Sequence, residues 1–241
     1  LLTGAYSDIH GIVGNEWYDR AQKRTVNCVE DPGTRLVDSA QGAAQGPGAS
    51  PKSLIGSTLG DELRFASDFR SRVVSVSLKD RSAILAGGHH PDAAYWYNSR
   101  TGRFVSSTYY MPALPAWVAE FNSQPPVKDY CGQAWRALPE TPGADGKVFS
   151  EFSLNPPEPC PNDRFLSWLD GTPFMNEIQL KFALEAVKNE RLGEDSTTDL
   201  LIVGLSANDY VGHGYGPYSP EVADLTLRTD RYIADFFNSL D

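Results

Sequence analysis

The stretch that most limits what this chain can fold into is the apolar run Leu200-Leu201-Ile202-Val203-Gly204-Leu205, set between two helix-like segments. A run of this length without polar alternation reads as a strand covered on both faces, and it is far too short to span a bilayer. Before it, Phe174, Ile178, Phe182 and Ala186 recur at helical spacing, with Gly193 just past the end of a helix over 174–192. After it, Ser219-Pro220-Glu221 supplies the cap, the first-turn proline and the acid of a helix start. Its apolar stripe runs through Val222, Leu225, Tyr232, Ile233, Phe236, Phe237 and Leu240. Helix, buried strand, loop and helix is the order of an α/β sheet with helices on its faces.

The rest of the chain fits that class. Ser57 or Thr58 caps a helix to about Ser67, and Arg72–Ser77 reads as a β-branched strand. Ala94–Tyr97 and Arg103–Ser106 flank a Gly-containing turn, as in a hairpin, and 114–122 suits a short helix. Residues 31–56, rich in Gly, Ala, Ser and Pro, read as a flexible surface loop, and 124–172 is Pro-rich with no clear period. The expected architecture is a mostly parallel sheet flanked by helices. Residues 1–90 and 173–241 form the core, and 91–172 an inserted cap lobe.

The formal net charge of -10 disfavours broad binding to a nucleic acid duplex, while leaving room for a small phosphorylated molecule held by a few local cations. Cys28, Cys131 and Cys160 form no CxxC pair, so a zinc–cysteine site is not expected. One disulfide plus one thiol, or three thiols, both fit the spacing. The chain opens Leu1-Leu2-Thr3 without Met, which suggests that processing or truncation removed an earlier segment.

Chemistry-bearing residues gather after the two strands. Ser206-Ala207-Asn208-Asp209-Tyr210-Val211-Gly212-His213-Gly214 follows the apolar run, where ligands of open α/β sheets usually bind. Its Asp209 and His213 offer the oxygen and nitrogen donors that suit zinc. Lys79 and Arg81 follow the 72–77 strand. In extended chain these alternate residues would share a face, as a phosphoryl-binding pair. Asn15 has an amide able to donate to a phosphate oxygen, while His10, His89 and His90 are second-rank candidates.

Taken together these segments resemble a known family. His10-Gly11-Ile12-Val13-Gly14-Asn15-Glu16-Trp17-Tyr18-Asp19 resembles the segment after the nucleophile in the type I phosphodiesterase and nucleotide pyrophosphatase branch of the alkaline phosphatase superfamily. Ser77-Leu78-Lys79-Asp80-Arg81 is similar to the Lys-x-Arg element of that branch's phosphate monoesterases, and Asp209 with His213 to its Asp-x-x-x-His metal motif. Tyr95-Trp96-Tyr97 and Ser107-Thr108-Tyr109-Tyr110-Met111 resemble the monoesterase cap region, and the order agrees from Leu1 to Asp241.

The resemblance implies an alkaline phosphatase-like fold and a two-zinc centre acting on a small phosphorylated substrate. It implies a Thr or Ser nucleophile that takes the phosphoryl group, and an address in the periplasm or outside the cell. Asn15, Lys79 and Arg81 would hold phosphoryl oxygens, and Asp209 and His213 one zinc. It also places the nucleophile before Leu1 and further metal ligands on both sides of these residues. The expectation is therefore a fragment that is inactive alone, from a parent that hydrolyses phosphate monoesters. A phosphodiesterase of the same superfamily, or a catalytically dead domain that binds a metal or partner, are the alternatives. Nothing in the residues speaks to oligomeric state.

Overall fold

The computed structural model describes residues 2–38, 47–144, 146–151 and 160–241. In chain order its elements are α1 (Ser7–His10), β1 (Glu16–Asp19), β2 (Arg24–Asn27), β3 (Glu30–Val37), β4 (Pro47–Ala49), α2 (Leu59–Ala66), β5 (Val73–Ser77), α3 (Asp80–Gly87), β6 (Ala93–Asn98) and β7 (Arg103–Ser107). They continue with α4 (Ala116–Ser123), a 3-10 turn at Pro126–Tyr130, β8 (Ala134–Arg136), β9 (Val148–Glu151), α5 (Asp163–Asp170), α6 (Pro173–Asn189), β10 (Leu200–Gly204), α7 (Ala207–Tyr215) and α8 (Pro220–Asn238). The chain divides into two compact units. The first gathers Leu1–Tyr97, Phe104–Glu120 and Ala186–Gly204; the second gathers Asn98–Arg103, Phe121–Glu185 and Leu205–Asp241.

The first unit is built on a six-stranded sheet in the order β10-β5-β6-β7-β3-β4. β5 runs parallel to both β10 and β6, whereas β3 is antiparallel to β7 and β4, so the α/β fold carries a mixed sheet. Every residue of β5 is buried, and Val73, Val74 and Val76 have no exposed surface. Burying each such side chain stabilises the fold by about 1.5–3 kcal/mol. The two serines of β5 do not break this core, because each hydroxyl has a partner. Ser75 Oγ donates to the Ala83 carbonyl (2.8 Å) and Ser77 Oγ to the Gly204 carbonyl (3.0 Å). α3 lays Ala83 and Ile84 onto a cluster with Cys28, Val29, Trp96 and Val105.

Three expectations change here. β10 was expected to be fully covered, yet all five of its residues are only half-buried. The reason is its place at the end of the sheet, with a strand on one side only among the described residues. Residues 31–56, read as loop, contain β3 and β4. Pro32 and Gly33 disguised β3; the pairing accommodates them by a register shift between Asp31 and Arg35. Gly48 is required in β4, since a Cβ there would lie 2.3 Å from Thr34 Oγ1 and 2.4 Å from Arg35 N. Residues 39–46, the centre of that expected loop, lie outside the described residues, as do 152–159 of the irregular 124–172 stretch. The stretch read as one inserted lobe, 91–172, contributes β6 and β7 to the sheet, while 121–172 falls in the second unit.

The second unit is mainly helical. α5 is capped by Asn162, whose side chain accepts from Phe165 N (2.9 Å), and α8 by Ser219, whose hydroxyl accepts from Val222 N (3.2 Å). β8 and β9 form an antiparallel pair, and Tyr130 stacks on Phe174 with centroids 4.8 Å apart. Cys131 and Cys160 form a disulfide, leaving Cys28 as a buried thiol in the first unit. Burial pushes the Cys28 thiol up from its ordinary range. α8 presents Asp224, without exposed surface, to four donors. They are Trp135 Nε1 (2.6 Å), Leu138 N (2.6 Å), Thr141 Oγ1 (2.7 Å) and Arg228 Nε (2.7 Å).

Candidate functional site

In the first unit Lys79 and Arg81 directly follow the carboxyl end of β5. The chain leaves Ser77, and Lys79 becomes the N-cap of α3 with extended backbone (φ -102°, ψ 136°). Arg81 therefore sits in the first helical turn. The expected alternation along a strand does not apply, because the backbone turns helical at Asp80. The outcome still puts two cations at the positive dipole end of α3, although the Arg81 N–H is taken by Asp80 Oδ1 (2.6 Å) and the Ser82 N–H by the Lys79 carbonyl (3.2 Å). Both residues are half-buried.

Asn15 lies on the loop between α1 and β1. It is exposed, its carbonyl accepts from Cys28 N (2.9 Å), and its side-chain amide has no partner among the described residues. His10 and Arg81 line one cleft of about 360 Å³ with Leu2, Thr3, Ile12 and Leu54; neither Asn15 nor Lys79 is part of that lining. His10 Nδ1 accepts from Ile12 N (3.1 Å), which leaves the proton on Nε2.

His89 and His90 have a structural explanation. The buried Asp61 carboxylate accepts from His89 N (2.9 Å), His90 N (2.7 Å), Thr58 N (2.9 Å) and Thr58 Oγ1 (3.1 Å). Thr58 and Asp61 thereby form the capping box of α2. Gly88 has φ +84°, and a Cβ there would lie 2.3 Å from Asp61 Oδ2, so only glycine lets the turn close on this carboxylate. His89 Nε2 further meets the Leu54 carbonyl at 3.1 Å. The pair belongs to a capped turn.

In the second unit Asp209 and His213 lie one turn apart on α7, with His213 Nε2 3.4 Å from Asp209 Oδ1. Their side chains are 51% and 82% exposed, so both donors face outward from the unit. Two ligands at about 2.0–2.1 Å from a tetrahedral zinc are about 3.3 Å apart, so this pair fits one edge of such a shell. A zinc site needs at least three protein ligands. No group of three or more His, Cys, Asp or Glu placed to hold one ion occurs among the described residues.

Sequence reasoning missed Asn176, which has no exposed surface on α6. Its Nδ2 donates to Asn208 Oδ1 (3.0 Å) and Thr229 Oγ1 (2.9 Å), and its Oδ1 accepts from Ala207 N (3.3 Å). The available signal was a polar residue among the apolar positions of the 174–192 helix.

A family model described as type I phosphodiesterase / nucleotide pyrophosphatase matches residues 1–241. Alkaline phosphatase PhoV of Synechococcus elongatus is 43% identical over the whole chain, which covers 46% of that protein. Alkaline phosphatase PafA of Elizabethkingia meningoseptica is 38% identical, again over the whole chain and 46% of the relative. The crystal structure of wild-type alkaline phosphatase PafA superposes with a TM-score of 0.83 at 35% identity, covering all of this chain and 48% of that one. The chain thus spans about half the length of the relatives it matches.

Proposed function

Because the chain belongs to the type I phosphodiesterase / nucleotide pyrophosphatase family, we propose that it is part of a metal-dependent hydrolase of small phosphate monoesters. The observation that carries this reading is the pair Lys79 and Arg81 at the start of α3, directly after the buried β5. A monoester dianion carries one more negative charge than a diester. Two cations at a helix N-terminus match that extra charge: Arg81 through its planar fork, Lys79 as a point charge. Asn15 donates its free amide to another phosphoryl oxygen. Held in place before reaction, these groups would stabilise charge on the non-bridging oxygens.

Asp209 and His213 would hold one zinc ion, joined by ligands from outside residues 1–241. Zinc, when bound, supplies Lewis-acid stabilisation of the entering and leaving oxygens, with two ions in the complete enzyme. The nucleophile lies outside these residues in the same reading, so the 241 residues alone do not turn over substrate. Residues 121–172, the part of the expected 91–172 lobe that falls in the second unit, would supply the body of a cap lobe. The disulfide between Cys131 and Cys160 supports a periplasmic or secreted address, where such bonds persist. No helix among the described residues is long and apolar enough to cross a membrane.

The test is replacement of both Lys79 and Arg81 by Ala in the complete enzyme. Monoester kcat/KM falls far more than diester kcat/KM if the cations read the second charge. Equal losses on both substrates count for the phosphodiesterase reading instead. Zinc-dependent phosphatase activity from residues 1–241 alone would overturn the fragment assignment.

A further inference from the structure

Asp209 and His213 can serve one ion only if α7 is held at one rotation about its axis, and the helix does not secure this by itself. Its N-cap, Ser206, makes no side-chain capping hydrogen bond. The Ala207 N–H, one of the groups a helix start leaves without an internal partner, is taken up by Asn176 Oδ1 from α6. Asn176 also donates to the Asn208 side chain at 3.0 Å, so α6 grips two consecutive residues of the first turn of α7. Both hydrogens of its Nδ2 are used, the second on Thr229 Oγ1, which in turn donates to the Leu225 carbonyl (2.7 Å). Flipping the amide would set an NH2 group against the Ala207 N–H, so the orientation is unique.

We infer that Asn176 is a positioning residue for the α7 metal half-site, an inference that rests on the proposed zinc role of Asp209 and His213. The helix geometry makes the link. Successive residues are rotated by about 100°, so pinning Asn208 inward places Asp209 at about 100° and His213 at about 140° on the same side. Ala207 (0% exposed) and Val211 (1%) fill the inward face, which agrees with that setting. Without Asn176 the apolar contacts remain, but the Ala207 N–H and the Asn208 side chain lose the partner that holds the start of the helix. Partners behind metal ligands typically change metal affinity by about 10–100-fold.

The experiment measures zinc affinity of the complete enzyme by competition with a chelator, beside the urea stability of the metal-free form. Asn176→Ala is expected to weaken binding of the ion held by Asp209 and His213 by about 10–100-fold. Thr229→Val is the structural control. It strands the other Nδ2 hydrogen and lowers stability, but leaves the grip on Ala207 and Asn208, so zinc affinity stays within a few-fold of wild type. Asn208→Ala combined with Asn176→Ala is expected to be less than additive. Unchanged affinity in Asn176→Ala, or equal losses in Asn176→Ala and Thr229→Val, overturns the positioning role. If Asp209→Ala and His213→Ala themselves leave zinc affinity untouched, the half-site reading fails, whatever Asn176 does.

Discussion

Replacing Asp224 gives the sharpest test of how the second unit is held together. Its carboxylate is fully buried and accepts from Trp135, Leu138, Thr141 and Arg228. Trp135 (0% exposed) and Thr141 (3%) have no route to water once the acceptor is gone. Each stranded donor costs about 1–3 kcal/mol, and breaking a buried ion pair from one side about 3–5 kcal/mol. These terms overlap, so Asp224→Ala is expected to lose about 4 kcal/mol or more. Asp224→Asn keeps the shape and one acceptor oxygen, and is expected to lose roughly half as much. Against a typical domain stability of about 5–15 kcal/mol, the Asn variant still folds and the Ala variant is marginal.

Urea unfolding followed by Trp fluorescence, compared at constant m, measures the loss. The pH dependence has a definite sign. Burial pushes the Asp224 carboxyl upward, but the hydrogen bonds from Trp135, the Leu138 backbone, Thr141 and Arg228 outweigh it and hold the group below its ordinary range. A depressed folded value means the stabilisation is present above the unfolded carboxyl's pKa of about 3.9 and is lost as pH falls through the folded value. Acid unfolding of Asp224→Asn is therefore shallower than that of wild type below about pH 4. A loss under about 1 kcal/mol in Asp224→Ala at unchanged m would refute the whole account.

Asp170 behaves in the opposite sense. Burial pushes its carboxyl up to about 6, a hydrogen bond from Ser99 opposes this, and Oδ1 has no partner. Its folded form holds a proton that the unfolded form releases, so its contribution to stability falls as pH rises from about 4 to 6. Asp170→Asn should stabilise at pH 7 and change little at pH 4, as denaturant titrations at both pH values would reveal. Asp61→Ala strands the amides of Thr58, His89 and His90, costing about 2–4 kcal/mol and speeding amide exchange at His89 and His90. The Cys131–Cys160 disulfide closes a sequence separation of 29, so replacing both cysteines with Ala should lower stability by about 3–4 kcal/mol. Thermal unfolding of the double variant beside the oxidised protein checks this.

The parts of the fold legible in the sequence were those with chemical punctuation. Ser57 or Thr58, and Ser219 with Pro220, announced α2 and α8 because capping is a local interaction. β5 was readable from β-branched content. β3 was not, since Pro32 and Gly33 are loop residues everywhere except at a bulge. Lys79 and Arg81 were found for their charge, while their arrangement was misjudged because nothing local marked Asp80 as the helical turning point. The segment holding Asp209 and His213 reads as a Gly-rich loop, yet it is helical over Ala207–Tyr215, which sets the two residues one turn apart. Asn176 stayed hidden because its partners on α7 and α8 lie far along the chain. The pairing of Cys131 with Cys160 was equally a matter of tertiary placement.

β10 carries a consequence for handling these 241 residues. Leu200 N donates to the Arg72 carbonyl, so in a parallel ladder the amides of Leu201 and Val203 point to the other side. Among the described residues no strand stands there. A strand that is apolar on both faces and paired on one side is an adhesive template, and no lysine, proline or bulge blunts it. Produced at high concentration, the isolated piece should zip edge to edge with its own copies. A charge at Val203 would trade that stickiness for solubility.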